Sequence, residues 1–507
     1  MTQLPRLLTL SPQDNVAIAL DDLATGDVVG QDSLTLVQSV ARGHKVAIAP
    51  IAAGRNVLRY GQIIGQATAD IAAGEHVHVH NLGMGEHAQD YAHASEATEL
   101  DAATDARTFD GYHRADGRVG TRNYLGILTS VNCSGSVAKF IAEAAEKSGL
   151  LDDFPNIDGI VPITHGTGCG MSGENEGYDT LFRTLAGYAQ HPNFGGILLI
   201  GLGCEVMQVS ALVGGRPIRA DGALRYMTIQ HEGGTRKTIE KGLTELRGIA
   251  ELANAATRQP APISHLMVGM QCGGSDGYSG ITANPALGVA SDMLVQHGGT
   301  TILSETSEIY GAEHLLTRRA SSVEVGEKLI DRVRWWEDYT ARNKGEMDNN
   351  PSPGNKRGGL TTILEKSLGA VAKSGSAPLT DVYLFAEKID KRGFVFMDSP
   401  GFDPCSVTGQ IASGANLIVF TTGRGSVSGY MPTPCIKIAT NSEMYARMAD
   451  DMDVNCGDII SEGVSLHDKG AEIFEMFIRI ASGEQTKSED LGFGGVEFVP
   501  WQIGAVM

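Results

Sequence analysis

Four times between residues 124 and 272 the chain repeats one local plan: an apolar, β-branched run that closes on a glycine-containing loop and a cysteine. The runs are YLGILTSVNC (124–133), DGIVPITHGTGC (158–169), GGILLIGLGC (195–204) and HLMVGMQC (265–272). Helix-like stretches such as SVAKFIAEAAEKSG (136–149) and TLFRTLAGYAQHP (180–192) lie among them. Strands that alternate with helices pair in parallel through right-handed crossovers. Near-continuous apolar strands are what a sheet covered on both faces requires. The plan predicts an α/β body. At 507 residues the chain exceeds one simple core, and 42% apolar content with 64 glycines fits a loop-rich globular protein.

If the strands are parallel, Cys133, Cys169, Cys204 and Cys272 emerge together at one carboxyl edge, where open α/β proteins bind ligands. The competing reading is that small residues collect at strand ends by chance. Four thiols suit a closed zinc site, although the usual paired C-x-x-C spacing is absent. Iron, alone or in an iron–sulfur cluster, tolerates dispersed thiolates. With one coordination position open it is a Lewis acid for a hydroxyl or a carboxylate. Cys405, Cys435 and Cys456 fall outside the pattern and read as ordinary buried thiols. Seven cysteines at wide spacing form no disulfide framework, so a reducing cytoplasm is the expected compartment.

Groups for proton transfer flank the cysteines. His165 precedes Cys169 in its glycine loop, Glu205 follows Cys204, and Asp276 lies in QCGGSDGYSG (271–280). His165 is the candidate general base, with Glu205 or Asp276 as the acid. Each has a plainer role as a loop or helix-cap residue. For an anionic substrate, VFTTGRGS (419–426) offers backbone N–H groups, Thr421, Thr422 and Arg424. NPSPGNKRGG (350–359) adds Lys356 and Arg357, though a loop this rich in Gly and Pro also reads as a simple turn.

The first eighty residues follow a different rule. LATGDVV (23–29), IAAGRNV (51–57) and IAAGEHV (71–77) share an apolar-Ala-x-Gly turn that feeds an alternating segment. Tight turns of this kind build a small β-barrel. The third copy continues as HVHVHN, and period-2 alternation puts His76, His78 and His80 on one face. That face is either a polar edge or part of a site, reached also by His44 in RGHK. We therefore expect a β domain over 1–85, an acidic, alanine-rich linker over 86–106, and α/β domains over 107–258 and 259–507. MTQLPRLLTLSPQDN lacks the charged start and apolar core of a signal peptide, and no run approaches a membrane span. The formal charge of −20 excludes a nucleic-acid or anionic-membrane surface as the expected partner.

Several long motifs, in order, resemble the altronate/galactarate dehydratase family across essentially the whole chain. They are GHKVAIA, YGQIIGQATADIAAGEHVHVHN, GRVGTRNYLGI, GLGCE, CGGSDGYSGITANPALG, NPSPGNKRGGL, FTTGRGS and IKIATNSEM. GEHVHVHN is closer to the altronate branch; VGMQCGGSD and AKSGSAP are closer to the galactarate branch. Thr167 stands where the shared HxYGC pattern has tyrosine. The resemblance implies an N-terminal SAF-like β-clip domain and an iron-dependent hydro-lyase that turns a sugar acid into a 2-keto-3-deoxy acid. It matches Cys133, Cys169, Cys204 and Cys272 to cysteine positions of the family. In the substrate site we place Arg424, Thr421, Thr422, Lys356, His44, His76 and His78. A small-molecule substrate and a homo-oligomer are expected. The alternatives are a sulfo-lyase acting on a sulfonated hydroxy acid such as sulfolactate, and a non-catalytic iron–sulfur or ligand-binding protein.

Overall fold

A computed structural model describes residues 6–30, 33–85, 89–214 and 222–506; residues 86–88, the start of the expected linker, lie outside it. The N-terminal part is built from short antiparallel strands. Leu7–Leu8, Val16–Ala19, Lys45–Ala47 and His76–Val77 form one sheet, and Asn56–Arg59, Gln62–Ala67 and Leu82–Gly83 another. The repeat explains the turns. Its glycines Gly26, Gly54 and Gly74 all take positive φ, at 88°, 75° and 82°, the left-handed region that other residues enter at a cost. A Cβ on Gly74 would also run into the Thr35 carbonyl.

Residues 89–107 carry no helix or strand, yet they are not a free tether. Ala94 N–H donates to the Thr317 carbonyl at 2.9 Å, and Ala103 N–H to the Gln296 carbonyl at 2.9 Å. The segment is a strap along the third domain.

Beyond it stand two parallel sheets. The smaller runs Gly159–Ile163, Tyr124–Thr129, Phe194–Gly201, Leu224–Thr228 in spatial order. Every residue of Tyr124–Thr129 and Phe194–Gly201 is buried, as two covered faces demand. The larger sheet has seven strands, ordered Leu379–Tyr383, Gly393–Met397, Thr300–Ser304, Met267–Cys272, Leu417–Thr422, Cys435–Ala439, Val454–Asn455. All its pairings are parallel.

The two sheets are not separate lobes. Helix Glu176–Gln190 of the second domain packs on helix Asp403–Ser413 of the third, and one apolar core joins Leu128, Leu185 and Leu199 to Ile302, Val395 and Ile411. Each such side chain contributes about 1.5–3 kcal/mol on full burial. The site positions follow from the strand order. The chain lays strands to one side of Met267–Cys272 and then returns to its other side with Leu417–Thr422, which opens a crevice at their carboxyl ends. Among the described residues, no helix is long and apolar enough to cross a membrane.

Candidate active site

The four cysteines do not share an edge. Cys133, Cys169 and Cys204 follow three neighbouring strands of the smaller sheet and are exposed. Cys272 ends the central strand of the other sheet and is buried. This corrects the single-edge expectation. Sequence spacing puts strand Met267–Cys272 in line with the other three, but Leu224–Thr228 is the edge strand of the smaller sheet, Gln259–Pro262 then pairs antiparallel with Thr108–His113, and Met267–Cys272 joins the larger sheet. Among the described residues, no three ligand atoms at the exposed edge come within 4.8 Å of one another. One ion shared by all four thiolates does not fit this structure.

The neighbours of that edge are already engaged. His165 is buried; its Nε2 meets the Thr129 carbonyl at 3.0 Å and its Nδ1 meets Thr167 N–H at 3.3 Å. Burial pulls its pKa down to about 4, and the Thr129 carbonyl only partly opposes this. Both nitrogens are spent on tying the glycine loop to the sheet. Neither is left for a substrate proton, which corrects the base assignment.

Glu205 is likewise buried. It accepts from Ser130 Oγ at 2.8 Å, Leu202 N–H at 3.2 Å and Gly203 N–H at 2.6 Å, so it anchors the Cys204 loop and is no free acid. A cavity of about 400 Å³ lies beside His165, bordered by Asn132, Lys139, Phe498 and Gln502. A larger one, about 1030 Å³, opens on Arg118, Arg183, Lys388 and Asn416, and none of the candidate site residues lines it.

Asp276 organises the crevice of the larger sheet. Its carboxylate accepts from Thr440 Oγ1 at 3.0 Å, Ser279 Oγ at 3.1 Å, Asn441 Nδ2 at 3.1 Å and Tyr278 N–H at 3.1 Å. Burial raises its pKa even so. The carboxylate joins two loops and is too fully bonded for the acid role expected of it. Gly423 has to be glycine, since a Cβ there would strike this carboxylate. Thr421 is buried, with Oγ1 donating to Asn284 Oδ1 at 2.6 Å, and Thr422 Oγ1 accepts from Gly425 N–H at 3.0 Å. Both threonines build the loop. Arg424 is exposed at its tip, and Lys356 is half-buried on the facing loop, where Asn355 Nδ2 donates to the Ser275 carbonyl at 2.8 Å.

Next to this crevice is a cluster the sequence reading missed. Cys272 Sγ and carboxylate oxygens of Glu305 and Glu308 lie within 4.8 Å of one another. Lys373 Nζ donates to Cys272 Sγ at 2.9 Å, and Lys366 Nζ to Glu308 Oε1 at 2.5 Å. Burial raises the Glu305 pKa well above the usual carboxylate range, reinforced by the Glu308 charge. Asp403, partly exposed, is pushed up to about 6 by burial and then by Glu308. Burial also favours the neutral Cys272 thiol. It works against the Lys373 ammonium too, but the sulfur and Glu305 outweigh it and hold that pKa above the ordinary value.

Glu305 sits at φ 71°, left-handed for a non-glycine residue, at a cost of about 1–3 kcal/mol. Glu305 Oε1 and Glu308 Oε2 are buried without a partner, as is Oδ1 of Asn350, whose Nδ2 donates to Glu308 Oε1 at 2.7 Å. The signal was available: SETSE (304–308) places two glutamates just past a strand of the same sheet. The lysines carry no such signal, since they come from the helical segments at Ile363–Val371 and Ala372–Ser374.

The N-terminal domain closes on the same edge. Lys45 and Arg59 are fully buried and both bind Glu365, at 2.8 and 2.6 Å. Burial would raise the Glu365 pKa, yet the two cations hold it down to about 2. Burial lowers Lys45 to about 8 all the same; Glu365 opposes this, and repulsion from the Arg59 charge adds to it. His44 Nε2 lies 3.2 Å from the Arg357 carbonyl, and its Nδ1 lies 3.0 Å from His76 Nε2.

A β-turn-built N-terminal domain, a four-stranded parallel second domain and a crossover-wound third domain match three models of one family in sequence order. They are the altronate/galactarate dehydratase SAF domain (residues 5–85), the D-galactarate dehydratase/altronate hydrolase second domain (111–254) and the D-galactarate/altronate dehydratase C-terminal domain (263–506). The chain belongs to the altronate/galactarate dehydratase family. It is 38% identical to altronate dehydratase of Escherichia coli over 483 residues, 94% of this chain and 95% of that one. With galactarate dehydratase (L-threo-forming) of the same organism it shares 38% over 498 residues, 94% and 93% of the two chains. The (2R)-sulfolactate sulfo-lyase subunit beta of Chromohalobacter salexigens is 33% identical over 389 residues, 76% of this chain and 95% of that subunit.

Proposed function

We propose that this chain is a hydro-lyase that removes water from a hexonate or hexarate, at the cluster around Cys272, to give a 2-keto-3-deoxy acid. The observation that carries the location is the set of unpartnered buried oxygens on Glu305, Glu308 and Asn350 beside two ammonium groups. Buried polar atoms need partners. A polyhydroxy acid brings hydroxyl donors for those oxygens and a carboxylate for the lysines.

Three carboxyl groups and a thiol face only two ammonium groups in this cluster, and the donor set of thiolate and carboxylates suits ferrous iron. Cys272 and Glu308 would hold the ion, with Glu305 protonated beside them, and the ion would supply Lewis acidity that acidifies the C–H beside a carboxylate. Lys366 and Lys373 bind the anionic end of the substrate. Asp403, poised near neutrality, takes the proton from C2. Glu305 keeps its proton in the buried site and delivers it to the departing 3-hydroxyl. Loss of water leaves an enol that ketonises. The loop at 350–359 covers the cluster through Asn350 and limits entry of water. Arg424 and Lys356 stand on the loops beside it and draw in the acid. Seven free thiols fit a reducing cytoplasm.

Anaerobically purified protein should convert at least one sugar acid of a hexonate and hexarate panel to a 2-keto-3-deoxy product, and Glu305→Gln should slow this at least about 100-fold. Sulfite release from a sulfonated hydroxy acid, with no keto acid from any sugar acid, would replace this reading with a sulfo-lyase.

A further inference from the structure

The mechanism leaves the histidines of the N-terminal domain unused. His44 precedes strand Lys45–Ala47, which pairs antiparallel with His76–Val77 in the register Lys45↔Val77, Val46↔His76. This pairing and the turn after it gather His44, His76 and His78, whose ring centres lie 5.1, 4.9 and 5.4 Å apart. One nitrogen from each falls within 4.8 Å of the others. Asn81 fixes the turn, accepting from His78 N–H at 3.0 Å and donating to the His76 carbonyl at 3.0 Å.

Proton positions follow from the partners. The Arg357 carbonyl accepts only, so His44 Nε2 carries the hydrogen and Nδ1 presents a lone pair toward His76. This is the arrangement of a metal-ligating histidine, whose second nitrogen is held by a backbone carbonyl. His78 Nδ1 is buried with no partner at all. Without an ion, His76 Nε2–H donates to the His44 lone pair and His78 Nδ1 is left with nothing to bind. An ion that accepts three imidazole lone pairs gives the arrangement a purpose.

We infer that His44, His76 and His78 form a binding site for a divalent first-row transition-metal ion of the zinc or ferrous class, separate from the cluster at Cys272. The ion fixes His44 against the Arg357 carbonyl, so it clasps the N-terminal domain to the loop that carries Lys356 and Asn350. The site contains no sulfur and no carboxylate. It draws on the proposed function only for the meaning of that loop; the ion count is independent of it.

The two sites can be counted separately with cobalt(II) as the probe. Full-length protein is stripped with a chelator under anaerobic conditions and titrated with cobalt(II), following visible absorption and bound ion per chain. Thiolate ligation by Cys272 gives a near-ultraviolet charge-transfer band, and the histidine site gives none. The His76→Ala/His78→Ala variant should bind one ion fewer than the parent while any thiolate band persists. Cys272→Ser should lose that band and keep the histidine-bound ion. Cobalt should raise the thermal midpoint of the parent and of Cys272→Ser, and this rise should shrink in the double variant. The single variant His78→Gln, milder to the fold, should bind the ion at least about tenfold more weakly. Equal ion counts and affinities in parent, double variant and His78→Gln would overturn the site, whatever the thiolate band does. Loss of the band alone would touch only the cluster at Cys272.

Discussion

The carboxyl edges of the two parallel sheets look alike in sequence and differ in physical state. The smaller sheet presents Cys133, Cys169 and Cys204 to solvent, and the polar groups behind them are satisfied: both nitrogens of His165 and both oxygens of Glu205 are bonded to their own loops or to the end of strand Tyr124–Thr129. The larger sheet buries Cys272 among Glu305, Glu308, Lys366 and Lys373, and leaves oxygens there without partners. Residue type alone ranks the first edge higher, since it has more thiols, a histidine and a glutamate. Unsatisfied bonding capacity ranks the second higher, and that is the property a substrate responds to.

The sharpest way to break this ranking is to neutralise one carboxyl at each edge. Glu305→Gln keeps the shape of the side chain and removes its transferable proton. It should lower kcat by about 10²–10⁴-fold with little change in melting temperature. Glu205→Gln removes an anchor and should act the other way, lowering the melting temperature while the properly folded fraction keeps a near-parent kcat. Steady-state kinetics beside thermal melts separates the two. A Glu305→Gln enzyme with parent kcat would move the chemistry away from the larger sheet.

Much of the fold was legible because it rests on patterns of period 2 and on glycine turns. The repeated Ala-x-Gly motif marked the turns of the N-terminal domain at Gly26, Gly54 and Gly74, and the apolar runs marked both parallel sheets. Sheet membership was not legible. The pattern gives a strand its faces but not its neighbours, so Cys272 was grouped with three cysteines of another sheet. The candidate site was legible where motifs lie in loops at strand ends, as with Asp276 and Arg424. It was opaque where function resides in the absence of a partner. No sequence pattern shows that Glu305 is short of a hydrogen bond while Glu205 is not.

A second test concerns how the N-terminal domain is held to the larger sheet. Glu365→Ala leaves Lys45 and Arg59 buried and unpaired, which should cost about 3–5 kcal/mol in urea denaturation. The native pKa of Glu365 is depressed from 4.5 to about 2. The native state therefore sheds a proton that the unfolded chain retains, and stability falls as pH drops from about 4.5 toward about 2. The difference between parent and Glu365→Gln should be complete above pH 5 and shrink with acidification. A gap that is constant with pH would mean that the carboxylate charge is not what holds the domain.

The cysteines offer a third. Cys272→Ser should release iron at concentrations at least about tenfold above those of the parent, while Cys133→Ser/Cys169→Ser/Cys204→Ser should retain iron and activity. Iron and sulfide analysis of anaerobic preparations checks both. Stoichiometric sulfide that survives in Cys272→Ser and disappears in the triple variant would put a cluster on the exposed edge and reverse the comparison.

The smallest expected effect lies at the mouth of the crevice. Gly423 and Arg424 N–H groups both donate to the Gly274 carbonyl, at 3.1 and 2.8 Å, and Thr422 Oγ1 holds Gly425. The loop is therefore fixed, and it presents the exposed Arg424 side chain, which has no hydrogen-bond or ion-pair partner among the described residues. A guanidinium in this position meets the substrate carboxylate before and during reaction alike, so it contributes uniform binding. Solvent screening limits the contact to about 1 kcal/mol, which raises KM about fivefold in Arg424→Ala and leaves kcat unchanged. The parent KM should rise with salt and the variant KM should rise less, since the screened charge is gone. An unchanged KM with a reduced kcat would instead mean that Arg424 acts only as charge develops, and the crevice itself would then belong to the reacting centre.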